Sequence, residues 1–181
     1  MSGSQIRRRR LFFALWPTDE LRERIALDTR EWIAGSGGVA IPPANFHVTL
    51  AFLGAVPEES LERIRAVGAQ LCGAPFEFVL DTIESWSAAG VLCLTATQPA
   101  PTLLSLAARL RFSLLEQQVD SAPQEFRPHV SLARAPSAQI DAPIGPMIWP
   151  VCEVVLVESS SAARGSEYRI LDRWTLKRET V

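Results

Sequence analysis

Apolar and polar positions alternate most cleanly in two short stretches, and the rest of the chain's pattern can be ordered around them. The first reads His47-Val48-Thr49-Leu50-Ala51-Phe52-Leu53-Gly54, and the second reads His129-Val130-Ser131-Leu132-Ala133-Arg134. Val, Thr, Leu and Phe favour strands, and a strand sends residues i and i+2 to one face. The alternation therefore predicts His47, Thr49 and Ala51 on one side, with Val48, Leu50 and Phe52 on the other. In the second stretch His129, Ser131 and Ala133 oppose Val130 and Leu132. One face of each strand is small and polar, fit to line a cleft. The other is large and apolar, fit to seal a core.

The remaining pattern supplies the neighbours. Leu11 to Trp16 predicts a strand. Thr18 then caps a helix, with Asp19 and Glu20 in its first turn and Leu21, Ile25, Thr29 and Trp32 at near-helical spacing. Gly35 to Asn45 is a Gly- and Pro-rich loop. Pro57, Glu58 and Glu59 open a second helix, whose apolar stripe is Leu61, Ile64, Val67 and Leu71. Phe76 to Trp86 and Val91 to Thr97 form a hairpin turning at Ala88-Ala89-Gly90. A third helix runs from Pro101 or Thr102 to about Gln118, with Leu103, Leu106, Leu110 and Leu114 on one face. Asp120 to Pro128 is a loop, and the Pro-rich stretch Ala135 to Pro150 is expected to be irregular. Val151 to Ser159 and Tyr168 to Leu176 are the last strands.

This order is α+β rather than a regular βαβ alternation. One histidine motif in each half predicts a duplicated architecture of two similar lobes, although no repeat extends beyond the motifs. Residues 1–10 are expected to be a flexible basic tail and residues 11–181 a single domain. The run Arg7 to Arg10 is read as a solvated flank, with phosphate contact as the alternative.

Composition narrows the function classes. A chain of 181 residues, 48% hydrophobic, can build one core or two coupled lobes. Its net charge of -2 gives no global basic field, so a nucleic-acid ligand should be short or held locally. Cys72, Cys93 and Cys152 form no CxxC pair, which points away from a disulfide framework or zinc cluster. Each lies in an apolar run and is expected to be a buried free thiol, fitting a reducing cytoplasm. The apolar run after Arg10 stops at Pro17-Thr18-Asp19-Glu20, too soon for a signal core, and no run reaches the ~20 residues of a membrane span. HExxH, GxSxG, Walker and GxGxxG patterns are absent, and no metal-ligand spacing is offered.

The 2 histidines of the chain both fall in the motifs. Two imidazoles with pKa near neutrality can serve as general base and general acid. A hydroxyl two residues further on, Thr49 or Ser131, suits a phosphoryl oxygen that needs short, directional donors. The chemistry indicated is proton transfer at a phosphoryl group held across a cleft. Arg134 has the opposite parity to His129 and reaches a phosphate only if the strand ends or bulges first. Arg164 is read as an exposed loop charge. Phe12, Phe13, Trp16, Trp86 and Tyr168 could stack on a base, with core packing the default for each.

At these residues the sequence resembles the two-histidine phosphoesterase superfamily, and within it the bacterial and archaeal RNA 2′,3′-cyclic phosphodiesterases, also called 2′-5′ RNA ligases. The resemblance rests on Arg-Leu-Phe-Phe-Ala (10 to 14), the two histidine stretches with Arg127-Pro128 before the second, Ser-Ala-Ala-Arg-Gly-Ser-Glu-Tyr (161 to 168) and Arg-Trp-Thr-Leu (173 to 176). Ser131 stands where the family motif usually has Thr. The resemblance implies a bilobal fold, each lobe an antiparallel sheet flanked by helices, with the active-site cleft between. It implies hydrolysis of RNA-terminal 2′,3′-cyclic phosphate to a 2′-phosphate, without metal or nucleotide cofactor. It also implies His47 as proton donor to the leaving 3′ oxygen, His129 as proton acceptor from water, and Thr49, Ser131 and Arg134 as phosphate ligands. The near-identical motifs do not by themselves assign donor and acceptor. Alternatives are 2′-5′ ligation of tRNA halves and a non-catalytic module that binds RNA ends or nucleotides. The substrate is an RNA 3′ end or a small cyclic nucleotide, and a monomer is expected because one chain supplies the whole site.

Overall fold

The computed structural model describes residues 7–122, 126–162 and 165–177. Two antiparallel sheets form the molecule, one of four strands in the order β3-β1-β8-β9 and one of five in the order β2-β6-β5-β4-β7. The strands are β1 (Arg8–Leu15), β2 (Val39–Ala40), β3 (Val48–Pro57), β4 (Phe76–Trp86), β5 (Val91–Thr95), β6 (His129–Arg134), β7 (Asp141–Val151), β8 (Glu153–Ala162) and β9 (Gly165–Thr175). Helices α1 (Asp19–Asp28), α2 (Arg30–Gly35), α3 (Leu61–Ala69) and α4 (Pro101–Glu116) cover them. The fold is α+β and two-lobed, with one histidine strand in each sheet.

Local chemistry explains the helices. The Thr18 hydroxyl accepts from the Leu21 amide and caps α1. Leu103, Leu106, Leu110 and Leu114 form the buried face of α4, and each such leucine contributes ~1.5–3 kcal/mol of burial. The core does not stop at the lobe boundary. Leu50 and Ile64 from the first lobe and Ile83, Leu92 and Leu110 from the second belong to one contiguous cluster. A smaller cluster of Phe12, Ala14, Val155 and Val157 lies on the opposite face of the first sheet, with Trp16, Phe52, Tyr168 and Ile170 packed on it.

The same connection builds both histidine strands. β1 leads through α1 and α2 to its antiparallel neighbour β3, and β5 leads through α4 to its antiparallel neighbour β6. The lobes are not the two halves of the sequence, however. β2 crosses to the edge of the second sheet, and β8 and β9 return to the first.

Several expectations are corrected. The first strand begins at Arg8, not after Arg10, so the second to fourth arginines of the basic run belong to the sheet. Residues 141 to 151 are a strand rather than irregular chain. β7 tolerates Pro143, Pro146 and Pro150 because it is an edge strand, where a missing amide need not break a ladder on both sides. Its alternation of buried Met147, Trp149 and Val151 with exposed neighbours is that of a half-buried strand. Of the cysteines, Cys93 is buried, Cys72 partly so and Cys152 exposed. Arg164 lies outside the described residues. Among the described residues no helix is long and apolar enough to cross a membrane.

Candidate active site

Both histidine strands carry a bulge one residue past the hydroxyl. In the first sheet Thr49 lies opposite Ala14 and Ala51 opposite Phe13, so Leu50 has no partner on β1. In the second, Ser131 lies opposite Cys93 and Ala133 opposite Leu92, so Leu132 has no partner on β5. An extra residue reverses the parity of everything after it. Ala51 and Ala133 therefore turn into the core, at 1% and 0% exposure, instead of sharing the histidine face. Phe52 and Arg134, five positions after their histidines, turn the other way and line the groove between the lobes. The bulge is the condition on which Arg134 could reach a phosphate.

The two imidazoles are held alike. His47 Nδ1 donates to the Asn45 carbonyl at 2.7 Å, and His129 Nδ1 donates to the Arg127 carbonyl at 2.7 Å. A carbonyl can only accept, so each neutral ring carries its proton on Nδ1 and leaves Nε2 as an acceptor. The Thr49 hydroxyl lies 3.1 Å from His47 Nε2 and donates to it in that state. Trp16 stacks on His47 with ring centroids 5.5 Å apart, Phe12 approaches at 4.9 Å, and Tyr168 meets it edge-on at 5.2 Å. Trp86 sits 4.5 Å from His129. Burial in these surroundings pulls the His47 pKa down to about 4; the Asn45 carbonyl opposes the shift and the charge of His129 adds to it. Burial also lowers the His129 pKa, with the Arg127 guanidinium adding to the effect and the Arg127 carbonyl opposing it.

The groove has two sections that meet at Thr49, Phe52 and Ser131. One contains His47 with Arg10 and Arg134; the other contains His129 with Arg111 and Arg127. No Asp or Glu lines either section among the described residues. A chain with net charge -2 thus concentrates four guanidinium groups along one concave surface, which makes a local anion site without a basic protein.

The residues from 17 to 162 match the family model described as the 2′-5′ RNA ligase superfamily. The chain belongs to this superfamily. It is 31% identical to the RNA 2′,3′-cyclic phosphodiesterase of Escherichia coli K12, covering 92% of this chain and 96% of that one. It is also 31% identical to the protein of the same name from Thermus thermophilus, over 94% and 91% of the two chains. Among solved structures it resembles Escherichia coli LigT complexed with 3′-AMP, with a TM-score of 0.86, 30% identity and coverage of 94% of this chain and 99% of that one. The LigT complex with phosphate has a TM-score of 0.83 at 30% identity, with 95% and 99% covered.

In this member of the 2′-5′ RNA ligase superfamily, the structure brings His47, Thr49, Ser131, Arg134 and His129 to one groove. Phe13 is a core residue, fully buried. The other four candidate aromatics flank the imidazoles instead of filling the main core. The Cys93 thiol, opposite Ser131 and hydrogen-bonded to it, is pushed up to about 12 by burial and is no nucleophile. Sequence reasoning missed the carbonyls of Asn45 and Arg127, which any residue type could supply. Arg10, read from the sequence as part of a solvated flank with phosphate contact as the alternative, lines the groove together with Phe12, two residues on. Arg111 and Arg127 carry no such signal, because neither lies on the histidine face of a strand. Among the described residues, no three His, Cys, Asp or Glu side chains come together to hold a metal ion.

Proposed function

We propose that the chain hydrolyses the 2′,3′-cyclic phosphate at an RNA 3′ end to a 2′-phosphate by metal-independent acid–base catalysis. The observation that carries the reading is the matched pair of imidazoles, each with Nδ1 fixed by a carbonyl two residues back, at the two ends of one arginine-lined groove.

In this mechanism Thr49 and Ser131 donate to the non-bridging oxygens, and Arg134 balances their growing charge. His129 Nε2 removes a proton from water as its oxygen forms the new bond to phosphorus. The bond to the ribose 3′ oxygen breaks, and His47 Nε2–H delivers a proton to it. The 2′ oxygen keeps the phosphate. His47 must therefore be protonated when the substrate is bound, although burial by itself favours the neutral ring. The negative phosphate supplies the compensating charge: an anion within hydrogen-bond reach favours the imidazolium. Donor and acceptor are assigned by the family resemblance, and the mirror-image motifs accept either order. One chain provides every group named, which supports a monomer.

The test is turnover of a 2′,3′-cyclic nucleotide to the 2′-phosphate. His47→Ala and His129→Ala should each lose ~10²–10⁴-fold in rate, and EDTA should leave the wild type active. Wild-type rates in either variant, or loss of activity with chelator, would remove the acid–base or the metal-free part respectively.

A further inference from the structure

Both imidazoles are held by carbonyls, but what stands behind each carbonyl differs. Behind His47, the Asn45 side chain is a neutral amide that donates to the Ser166 carbonyl at 3.0 Å. Behind His129, the Arg127 guanidinium lies over Trp86, 4.4 Å from the ring centre, and Trp86 is itself 4.5 Å from the imidazole. One carboxylate oxygen ties this group together. Glu84 Oε2 accepts from Trp86 Nε1 at 2.5 Å and from the Arg127 guanidinium at 3.0 Å. Glu84 comes from the row of opposed residues that crosses the second sheet, with Cys93 next on β5 and Ser131 at the groove on β6. The hydroxyls differ as well: Thr49 donates to His47 Nε2, whereas Ser131 is engaged by the Cys93 thiol.

A guanidinium beside an imidazole disfavours the imidazolium. For His129, burial and the Arg127 charge both act in that direction, and the Arg127 carbonyl opposes them. The charged and titratable groups around this ring are Arg127 from the loop before β6, Arg111 from α4, Glu84 from β4, Cys93 from β5 and His47 across the groove. The Cys93 thiol, pushed up to about 12, stays neutral, so among these groups Glu84 alone brings negative charge. We propose that Glu84 is a positioning residue: it fixes Trp86 and Arg127 against His129 and balances the guanidinium, so that His129 rather than His47 takes the proton from water. This rests on the phosphodiesterase reading and gives the near-identical motifs a structural difference that sets their order.

The experiment follows the His129 Cε1–H signal of the whole, unliganded chain in a proton NMR titration, assigned by its loss in His129→Ala. It also measures kcat and KM for a 2′,3′-cyclic nucleotide in the same proteins. Glu84→Gln keeps the shape and an acceptor for Trp86 but loses the charge. Its His129 midpoint should fall by about half a pH unit or more, the scale of one charge nearby in a wet groove. Its kcat should drop about two- to tenfold, as for a weaker base, with KM unchanged. Arg127→Gln should raise the midpoint, and the double variant should bring it back toward the wild-type value. A midpoint that Glu84→Gln leaves in place, or that falls as far in the double variant, overturns the proposal and leaves the phosphodiesterase intact. A raised KM at unchanged kcat in Glu84→Gln overturns it too. A wild type that turns over no cyclic nucleotide removes the reading and the proposal together.

Discussion

Phe52 and Arg134 stand at the same place in two different strands, each five residues past a histidine, and both face the groove between the lobes. The equivalence is one of backbone, made by the unpaired Leu50 and Leu132. The side chains diverge, one an aromatic wall and the other a cation. A nearly two-fold scaffold thereby gives the groove different walls on its two sides.

Arg134 should act mainly in binding. Arg134→Ala removes a charged hydrogen-bond donor, which is worth ~1.5–3 kcal/mol, so KM for a cyclic nucleotide should rise about tenfold or more. Inorganic phosphate should weaken as an inhibitor by a similar factor. An unchanged KM and phosphate inhibition constant would show that Arg134 lines the groove without touching the anion.

A protein with 2 histidines gives two imidazole Cε1–H signals in a proton NMR titration. Without ligand, the His47 signal should titrate near pH 4, because burial disfavours the imidazolium. With saturating 2′-phosphorylated nucleotide its midpoint should move toward neutrality. A midpoint that stays put would mean the bound anion does not reach this ring, and His47 could not be the donor.

The same depressed pKa makes stability depend on pH. Unfolded His47 binds a proton near pH 6.5, whereas folded His47 binds it only near pH 4. Between those values the unfolded state holds more protons, so stability falls as the pH is lowered through the window. For this one group the loss between pH 7 and pH 5 is about 2 kcal/mol, and His129 acts in the same direction. Glu158, held down to about 2 by Arg9 and Arg169, contributes its loss only at lower pH. Urea midpoints at pH 7 and pH 5 should therefore converge in His47→Gln relative to the wild type.

Gly68 has a packing role that its place in α3 conceals. A Cβ built there would lie 2.5 Å from the Trp174 ring, and that ring is itself packed on Phe13 at 5.7 Å. Alanine would improve helix propensity by about 1 kcal/mol, but overpacking costs ~1–3 kcal/mol. Gly68→Ala should lower the urea midpoint, with loss of the Trp174–Phe13 contact. A raised midpoint would mean that Trp174 moves aside without penalty.

Much of this was legible in the sequence because the relevant signals were local. Thr18 announced a cap, Leu103 to Leu114 a helix face, and the two motifs a pair of strands. What was missed follows from parity and topology. Alternation places Ala51 with His47, and only the pairing of β3 with β1 reveals the extra Leu50 that undoes it. Prolines 143, 146 and 150 argue against a strand unless its position at a sheet edge is known. The site's second arginine pair escaped because Arg111 comes from a helix and Arg127 from a loop, joined only by the tertiary fold.

The placement of β8 and β9 has a consequence for synthesis. They close the first sheet against β1, and Tyr168, carried on β9, completes the wall around His47. A growing polypeptide that has left the ribosome only as far as Val151 has both histidines but lacks half of one lobe. Its first imidazole then stands without that wall. The surroundings of His47 are therefore complete only once the hairpin of β8 and β9 has paired with β1.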